Sequence, residues 1–499
     1  MMGLETELEF ILDKRMELFG KYLDRTGMEH KEYQFVGVRW CLKNELCSAP
    51  VYGVRGGFIA DEMGLGKTIM MIGLMVCNFV KRTLIVLPPM LIDQWVIQIY
   101  RTTGHKALVY HGSNKKQITL DMLKKAFIVI TSYGDISYRK KINNYEKMRG
   151  EKDDLYGGEK DILFRVKWSR IVYDEAHHLR NDKTVLFQRI QMLKSGTQWF
   201  VSGTPIQNRI KDFYNLCYIL GIPSSSYMNR DGLKTIKQTF ILKRTKNEVG
   251  IWMPELAKER EVVSWQNCKE MELSDRIHRN MLTCDKKDKL LMMLFAKQSC
   301  VMTELLIKHM RLLVKLGVVD NTNDVKEATY SSSKLDKVIE EILQRKGNGC
   351  GKLVFCHFHR EMDDISRKLR ENGMGVAVFD GRITGQLKKR SVLGSRAEVL
   401  ILQIQTGCEG LNLQENYSEI YFVGPHWNPA VEEQAIARCH RIGQTKPVLV
   451  KRFIMGNFEQ EEQEQKQDQE QKQEQKQETM DNYIGFIQNK KRGFASEIF

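Results

Sequence analysis

Ten short runs of β-branched and aliphatic residues, in two groups of five, constrain this 499-residue chain more than any other feature. The first group is GFIAD (57–61), TLIVLPP (83–89), FIVITSY (127–133), RIVYDEAH (170–177) and WFVSGTP (199–205). The second is KLVFCHF (352–358), VAVFDG (376–381), VLILQIQT (399–406), EIYFVGP (419–425) and VLVKRFI (448–454). Each run is nearly continuous in apolar character, as a strand buried on both faces is, and helix-length segments separate them. The pattern predicts an α/β chain of two similar lobes, each a parallel sheet covered by helices.

Between the groups, 285–316 reads as one long helix, with Met302, Leu306, Met310 and Leu313 on its core face and Gly317 as its stop. The polar stretch NTNDVKEATYSSSK (321–334) reads as a linker. From 459 to 478 there is no apolar residue, so a solvated helix or disordered tether is expected. These features divide the chain into a helical extension (1–30), lobe one (31–222), a helical insertion and linker (223–330), lobe two (331–457), a Gln/Glu/Lys low-complexity segment (458–480) and a basic tail (481–499).

The formal charge is +15; residues 459–478 hold eight acidic residues and three lysines, so they contribute −5 and the rest carries +20. A basic body points to an anionic partner, with nucleic acid the commonest. The eleven cysteines are scattered without a CxxC pair, against both a zinc module and a disulfide framework. The longest apolar run falls far short of the ~20 residues that span a bilayer. The N-terminal residues interrupt their apolar positions with charges, unlike a secretory signal, so an intracellular location is expected.

Within GGFIADEMGLGKTIM (56–70), a strand leads into a compact turn and then a helix beginning at Lys67. Backbone N–H groups and a helix N-terminus thus converge where a triphosphate would lie. Lys67 would contact the β and γ phosphates of ATP, and the Thr68 hydroxyl would hold Mg2+. Asp61 stands where the usual phosphate loop has its first glycine. Asp174 and Glu175 end the strand RIVYDEAHH, from which one carboxylate can reach the metal and the next can orient water.

These motifs together resemble a helicase-like ATPase of superfamily 2, of the Swi/Snf type. ADEMGLGKT, with its leading Asp, is that family's own phosphate-loop form. EYQFVGVRWCL, LPPMLIDQW with Trp95, ITSY, DEAHHLRN, VSGTPIQN, GCEGLNLQ and PHWNPAVEEQAIARCHRIGQ follow in family order, covering residue 32 to about 453. The resemblance implies two RecA-like lobes, with Asp61, Glu62, Met63, Gly64, Leu65, Gly66, Lys67 and Thr68 around the phosphates and Gln34 at the adenine. It makes Thr68 and Asp174 the metal holders, Glu175 the base, and Arg438 and Arg441 the lobe-two arginines that reach the γ-phosphate. It places Thr131, Ser132, Thr406, Asn412 and Trp427 near a DNA backbone, and gives Ser202, Thr204 and Gln434 a coupling role. Cys408 and Glu409 replace residues that are small in the family, and Pro425 replaces a common Asp.

The function implied is a DNA-dependent ATPase that translocates on duplex DNA and displaces or remodels bound proteins, with nucleosomes or transcription complexes as further partners. The location implied is nuclear or a viral replication or transcription site, since the chain resembles the compact forms of large DNA viruses. The alternatives are a strand-separating helicase on DNA or RNA and a non-hydrolysing DNA-binding scaffold.

Overall fold

A computed structural model of the protein describes residues 2–137, 161–203, 209–329, 332–382, 394, 396–407, 411–458 and 478–498. It divides into two units, Met1–Trp252 with Gly493–Phe499, and Met253–Arg492. No helix among the described residues is long and apolar enough to cross a membrane.

Unit one is built on seven strands: β1 (Gly56–Ile59), β2 (Thr83–Leu87), β3 (Leu108–Tyr110), β4 (Ile128–Ser132), β5 (Arg170–Asp174), β6 (Gln198–Val201) and β7 (Ile241–Leu242). They lie in the order β3-β4-β2-β5-β6-β1-β7, every pairing parallel. β1, β2, β4 and β5 are buried along their whole length, which is why their sequences do not alternate. One face packs on the helices Met2–Thr26, Glu32–Leu46 and Lys67–Cys77 through Leu12, Phe19, Val38, Met71 and Leu74. The N-terminal helix is thus part of this core. Phe19 lies so close that a Cβ on Gly73 would sit 2.4 Å from its ring.

Unit two has six strands: β8 (Leu256–Val263), β9 (Gly351–Cys356), β10 (Val376–Phe379), β11 (Val399–Gln403), β12 (Tyr417–Phe422) and β13 (Val448–Met455). Their order is β10-β11-β9-β12-β13-β8, again parallel throughout. All ten apolar runs of the sequence are strands in these two sheets.

Two expectations about the connecting segments change. The stretch 285–316 is not one helix: an α-helix ends at Val301, Met302 turns extended (φ −162°, ψ 129°), a 3-10 segment runs Thr303–His309, and a short helix follows at Met310–Lys315. The break is tertiary, since the Thr303 hydroxyl donates to the Ala328 carbonyl at 2.5 Å. Leu306 and Leu313 still face the core, so the periodicity reported burial rather than a continuous axis. The expected linker is folded as well: Asn321 caps a helix at Thr322–Glu327, and Ser333 and Lys334 begin another, fully buried.

The segment after the low-complexity tract is folded too: Met480–Ile498 is a helix whose start is buried in unit two. The Lys334 ammonium pairs with the Asp481 carboxylate, both fully buried, and the same carboxylate oxygen accepts the Met455 N–H at 3.0 Å. The Met480 N–H donates to His278 Nε2 at 2.9 Å; burial lowers that imidazole's pKa and keeps it a neutral acceptor. Removing one partner of a buried ion pair strands the other charge, so Asp481→Ala should lower the unfolding free energy of unit two by about 3–5 kcal/mol. Chemical denaturation followed by circular dichroism reads this loss. The low-complexity residues 459–477 lie outside the described residues.

Candidate nucleotide site and nucleic-acid contacts

The parallel sheet of unit one collects its functional side chains at the C-terminal ends of β1, β5 and β6, where α/β sheets bind ligands. After β1 the chain forms the turn Asp61–Gly66, with Gly64 and Gly66 at φ +94° and +76°, a region that disfavours any side chain. The helix Lys67–Cys77 then starts, its first N–H groups free of helical partners. The Lys67 amine folds over this turn and donates to the Asp61 and Glu62 carbonyls at 2.8 and 3.2 Å. Gln34, buried on the helix Glu32–Leu46, donates to the Leu65 carbonyl at 3.4 Å and lies 2.5 Å from where a Cβ on Gly66 would stand. Leu65 is buried beneath the turn, while Met63 and Thr68 are half-buried.

Asp174 ends β5. Its Oδ2 accepts the Trp95 indole N–H at 2.7 Å, its Oδ1 accepts the Glu175 backbone N–H at 3.0 Å, and its carbonyl accepts the Tyr133 hydroxyl at 2.7 Å. Burial, and then the neighbouring Glu175 charge, push its pKa up. Glu175 has a left-handed backbone (φ 51°, ψ 50°), a conformation that costs a non-glycine residue about 1 kcal/mol or more. Its carboxylate lies 3.3 Å from His177 Nδ1. That ring nitrogen is 3.4 Å from the Ser202 hydroxyl, and the Ser202 N–H donates to the Ile59 carbonyl at the end of β1. Ser202 therefore stands between the acidic strand end and the phosphate loop, just past the end of β6, the strand between them. A Cβ on the next residue, Gly203, would lie 3.4 Å from the Lys67 amine. Thr204 lies outside the described residues.

In unit two, Arg438 and Arg441 follow the helix Pro429–Ile436. Burial and the adjacent Arg438 guanidinium lower the pKa of Arg441. Its Nη1 donates to the Asn412 side-chain oxygen, while its buried Nε has no hydrogen-bond partner among the described residues. Two neighbouring guanidiniums with an unanswered donor are a local excess of positive charge. Gln434, on that helix, is buried, its amide nitrogen also unanswered among the described residues.

The nucleic-acid candidates are dispersed. The Thr131 hydroxyl is buried and donates to the Tyr110 carbonyl at 2.9 Å; the Ser132 hydroxyl is buried and donates to Asp135 at 2.7 Å. Neither faces solvent. Asn412 is exposed beside Arg441. Trp427 is half-buried, edge-on to Tyr483 of the C-terminal helix, and its carbonyl accepts from Lys491 at 2.6 Å. With Leu290, Leu291, Leu294 and Lys297 it lines a cavity of about 730 Å³. The Thr406 side chain, Cys408 and Glu409 lie outside the described residues, and Pro425 is buried.

Sequence reasoning missed the residues that hold the loop from behind. Beyond β7, Arg244 grips the buried Asp61 carboxylate with two donors, at 2.5 and 3.1 Å, and Lys246 pairs with Glu62 at 3.0 Å. Trp95 and Tyr133, which orient Asp174, were visible only as members of motifs.

Residues 33–311, more than half of the chain, match the SNF2-related domain, and residues 333–443 match the helicase conserved C-terminal domain. A probable global transactivator of Orgyia pseudotsugata multicapsid polyhedrosis virus is 25% identical, with 94% of this chain and 91% of that protein covered. The ATP-dependent DNA helicase DDM1 of Arabidopsis thaliana is 26% identical, covering 86% of this chain and 59% of its own. The DNA excision repair protein ERCC-6-like of Danio rerio is 24% identical over 81% of this chain, which spans only 33% of that relative's length. Among solved structures, the Sulfolobus solfataricus SWI2/SNF2 ATPase core in complex with dsDNA aligns with 86% of this chain and 88% of that chain, at 22% identity and a TM-score of 0.38. On the family match across more than half of its length, the chain belongs to the SNF2-related family of helicase-like ATPases.

Proposed function

We propose that the protein is a DNA-dependent ATPase that couples ATP hydrolysis to translocation on duplex DNA and to displacement or remodelling of proteins bound there. The observation that carries this reading is the assembly of Lys67, Asp174, Glu175 and Ser202 at one edge of a parallel sheet, beside a glycine-shaped turn and a helix N-terminus. A scaffold that only binds has no use for this complete set. The oxygen donors Thr68 and Asp174 suit Mg2+, whose charge would neutralise phosphate oxygens, and burial of Asp174 beside Glu175 favours a cation there.

In this reading Lys67 leaves the loop carbonyls to hold the β and γ phosphates, and Gln34 contacts the adenine. Glu175 orients the attacking water, held in place by His177. Arg438 and Arg441 supply positive charge to the transferring phosphoryl group, where their planar donors stabilise charge that develops only in the transition state. Ser202 and Gln434 relay the nucleotide state. Duplex DNA as the partner is supported by the basic body of the chain and by relatives named as DNA helicases and excision-repair proteins. The viral relative of nearly equal length supports a role in transcription.

Turnover measured with duplex DNA, single-stranded DNA and RNA tests the proposal. Low basal activity, strong stimulation by duplex DNA and weakening of that stimulation as salt rises are expected. Lys67→Ala should reduce turnover about 100-fold or more. Preferential stimulation by RNA would move the function to a strand-separating helicase, and wild-type turnover in Lys67→Ala would overturn the site.

A further inference from the structure

An acidic residue in a phosphate loop is an electrostatic problem, and this loop has two. Asp61 occupies a position that phosphate loops ordinarily fill with glycine, and Glu62 follows it. Unpaired, each would place a negative charge beside a triphosphate carrying several of its own. The structure answers both charges from one place. β7 is only two residues long, but the chain beyond it continues along the loop: the Ala60 N–H donates to the Leu242 carbonyl at 2.7 Å and the Glu62 N–H to the Arg244 carbonyl at 2.9 Å. This register sets Arg244 on Asp61 and Lys246 on Glu62.

Arg244 does more than neutralise. Its Nη1 donates to the Tyr33 carbonyl, next in sequence to Gln34, and its guanidinium stands 5.7 Å from the Tyr33 ring centroid. Its Nη2 also lies 3.5 Å from the Met70 sulfur, on the helix that follows the loop. One side chain therefore ties together the loop, the helix bearing Gln34 and the helix begun by Lys67. Gly37, inside the helix Glu32–Leu46, is shaped around it: a Cβ there would fall 2.9 Å from Arg244 Nη2 and 2.6 Å from the Met70 sulfur. A glycine inside a helix is disfavoured, and here the vacant side-chain position lets the arginine through.

We infer that Arg244 and Lys246 are positioning residues for the nucleotide, which cancel the charges of Asp61 and Glu62 and so make this acidic loop able to accept a polyphosphate. Arg244 acts through Asp61 and Tyr33, and Lys246 acts through Glu62. The inference rests on the reading of this loop as the nucleotide site.

Binding of magnesium-ATP and of ADP by calorimetry, together with DNA-stimulated turnover, tests it. Arg244→Met should raise the Kd and the ATP KM by about tenfold or more while kcat at saturating ATP stays within a few-fold of wild type, because the damage is to charge and placement in the bound state. Arg244→Lys should recover part of the affinity by keeping the charge and losing the two-donor grip. The deciding arm is Asp61→Asn combined with Arg244→Met: with no carboxylate left to cancel, affinity should return to within a few-fold of wild type. A merely structural clamp would leave the double variant as weak as Arg244→Met, and that result overturns the inference, as does wild-type affinity in Arg244→Met alone. Should Arg244→Met fail to fold, Lys246→Met alone and with Glu62→Gln poses the same question on the less buried pair. A wild-type protein that binds no nucleotide would sink the nucleotide-site reading itself. Binding that Lys67→Ala loses but Arg244→Met keeps would sink only this inference.

Discussion

Glu175→Gln should bind ATP with affinity close to wild type and hydrolyse it about 100- to 10,000-fold more slowly. The change is nearly isosteric, so the left-handed turn and the approach of His177 can persist. What is lost is the carboxylate that accepts a proton from water. Asp174 is untouched, with its Trp95 and backbone hydrogen bonds, so whatever holds the cation remains. Equilibrium binding and single-turnover hydrolysis on the same preparation separate the two effects. Equal loss of binding and turnover would assign Glu175 a structural role instead.

The second large effect is expected from the arginine pair. Arg438→Ala or Arg441→Ala should lower the DNA-stimulated rate by about 1,000-fold or more while ATP and duplex DNA still bind, since an arginine on a transferring phosphoryl group contributes on that scale. Arg441 is the more informative of the two. Its buried Nε lacks a partner among the described residues and its guanidinium is crowded by Arg438, an arrangement that an arriving anion would relieve. Removing it should therefore cost little stability. Full stimulation in either variant would separate these arginines from the chemistry.

What was legible in the sequence was what burial writes into it. The ten strands could be read because burial keeps each nearly continuous in apolar character, and the motif residues Lys67, Asp174, Glu175 and Ser202 could be placed because they lie at or shortly after the ends of those strands. The strands that escaped had no such imprint. β8 carries Lys258, Glu259, Arg260 and Glu261 at the sheet edge, and β7 has only two residues. The partners of the site were hidden by distance along the chain: Arg244 lies 183 residues from Asp61, and no local pattern joins them. Asp481 and Lys334, 147 residues apart, are the same case. Each looked like an ordinary surface charge, and only the fold made it an interior one. The nucleic-acid candidates Thr131 and Ser132 illustrate the reverse limit, since a motif gives residue type and position but not whether the hydroxyl faces solvent.

The way the C-terminal helix is anchored bears on how this protein can change over generations. Where the low-complexity tract begins and ends, the chain is fastened to itself: the Thr479 hydroxyl donates to the Met455 carbonyl at 3.0 Å, and the Asn482 amide donates to the Asn457 side chain at 2.8 Å. The described residues on either side of the tract are thus both fixed to unit two. The entropy of closing a flexible loop between fixed ends rises only with the logarithm of its length, about 0.6 kcal/mol for each doubling. Gains or losses of residues within the tract are therefore expected to leave the helix seated and unit two intact, whereas changes at the anchoring residues on either side of it are not.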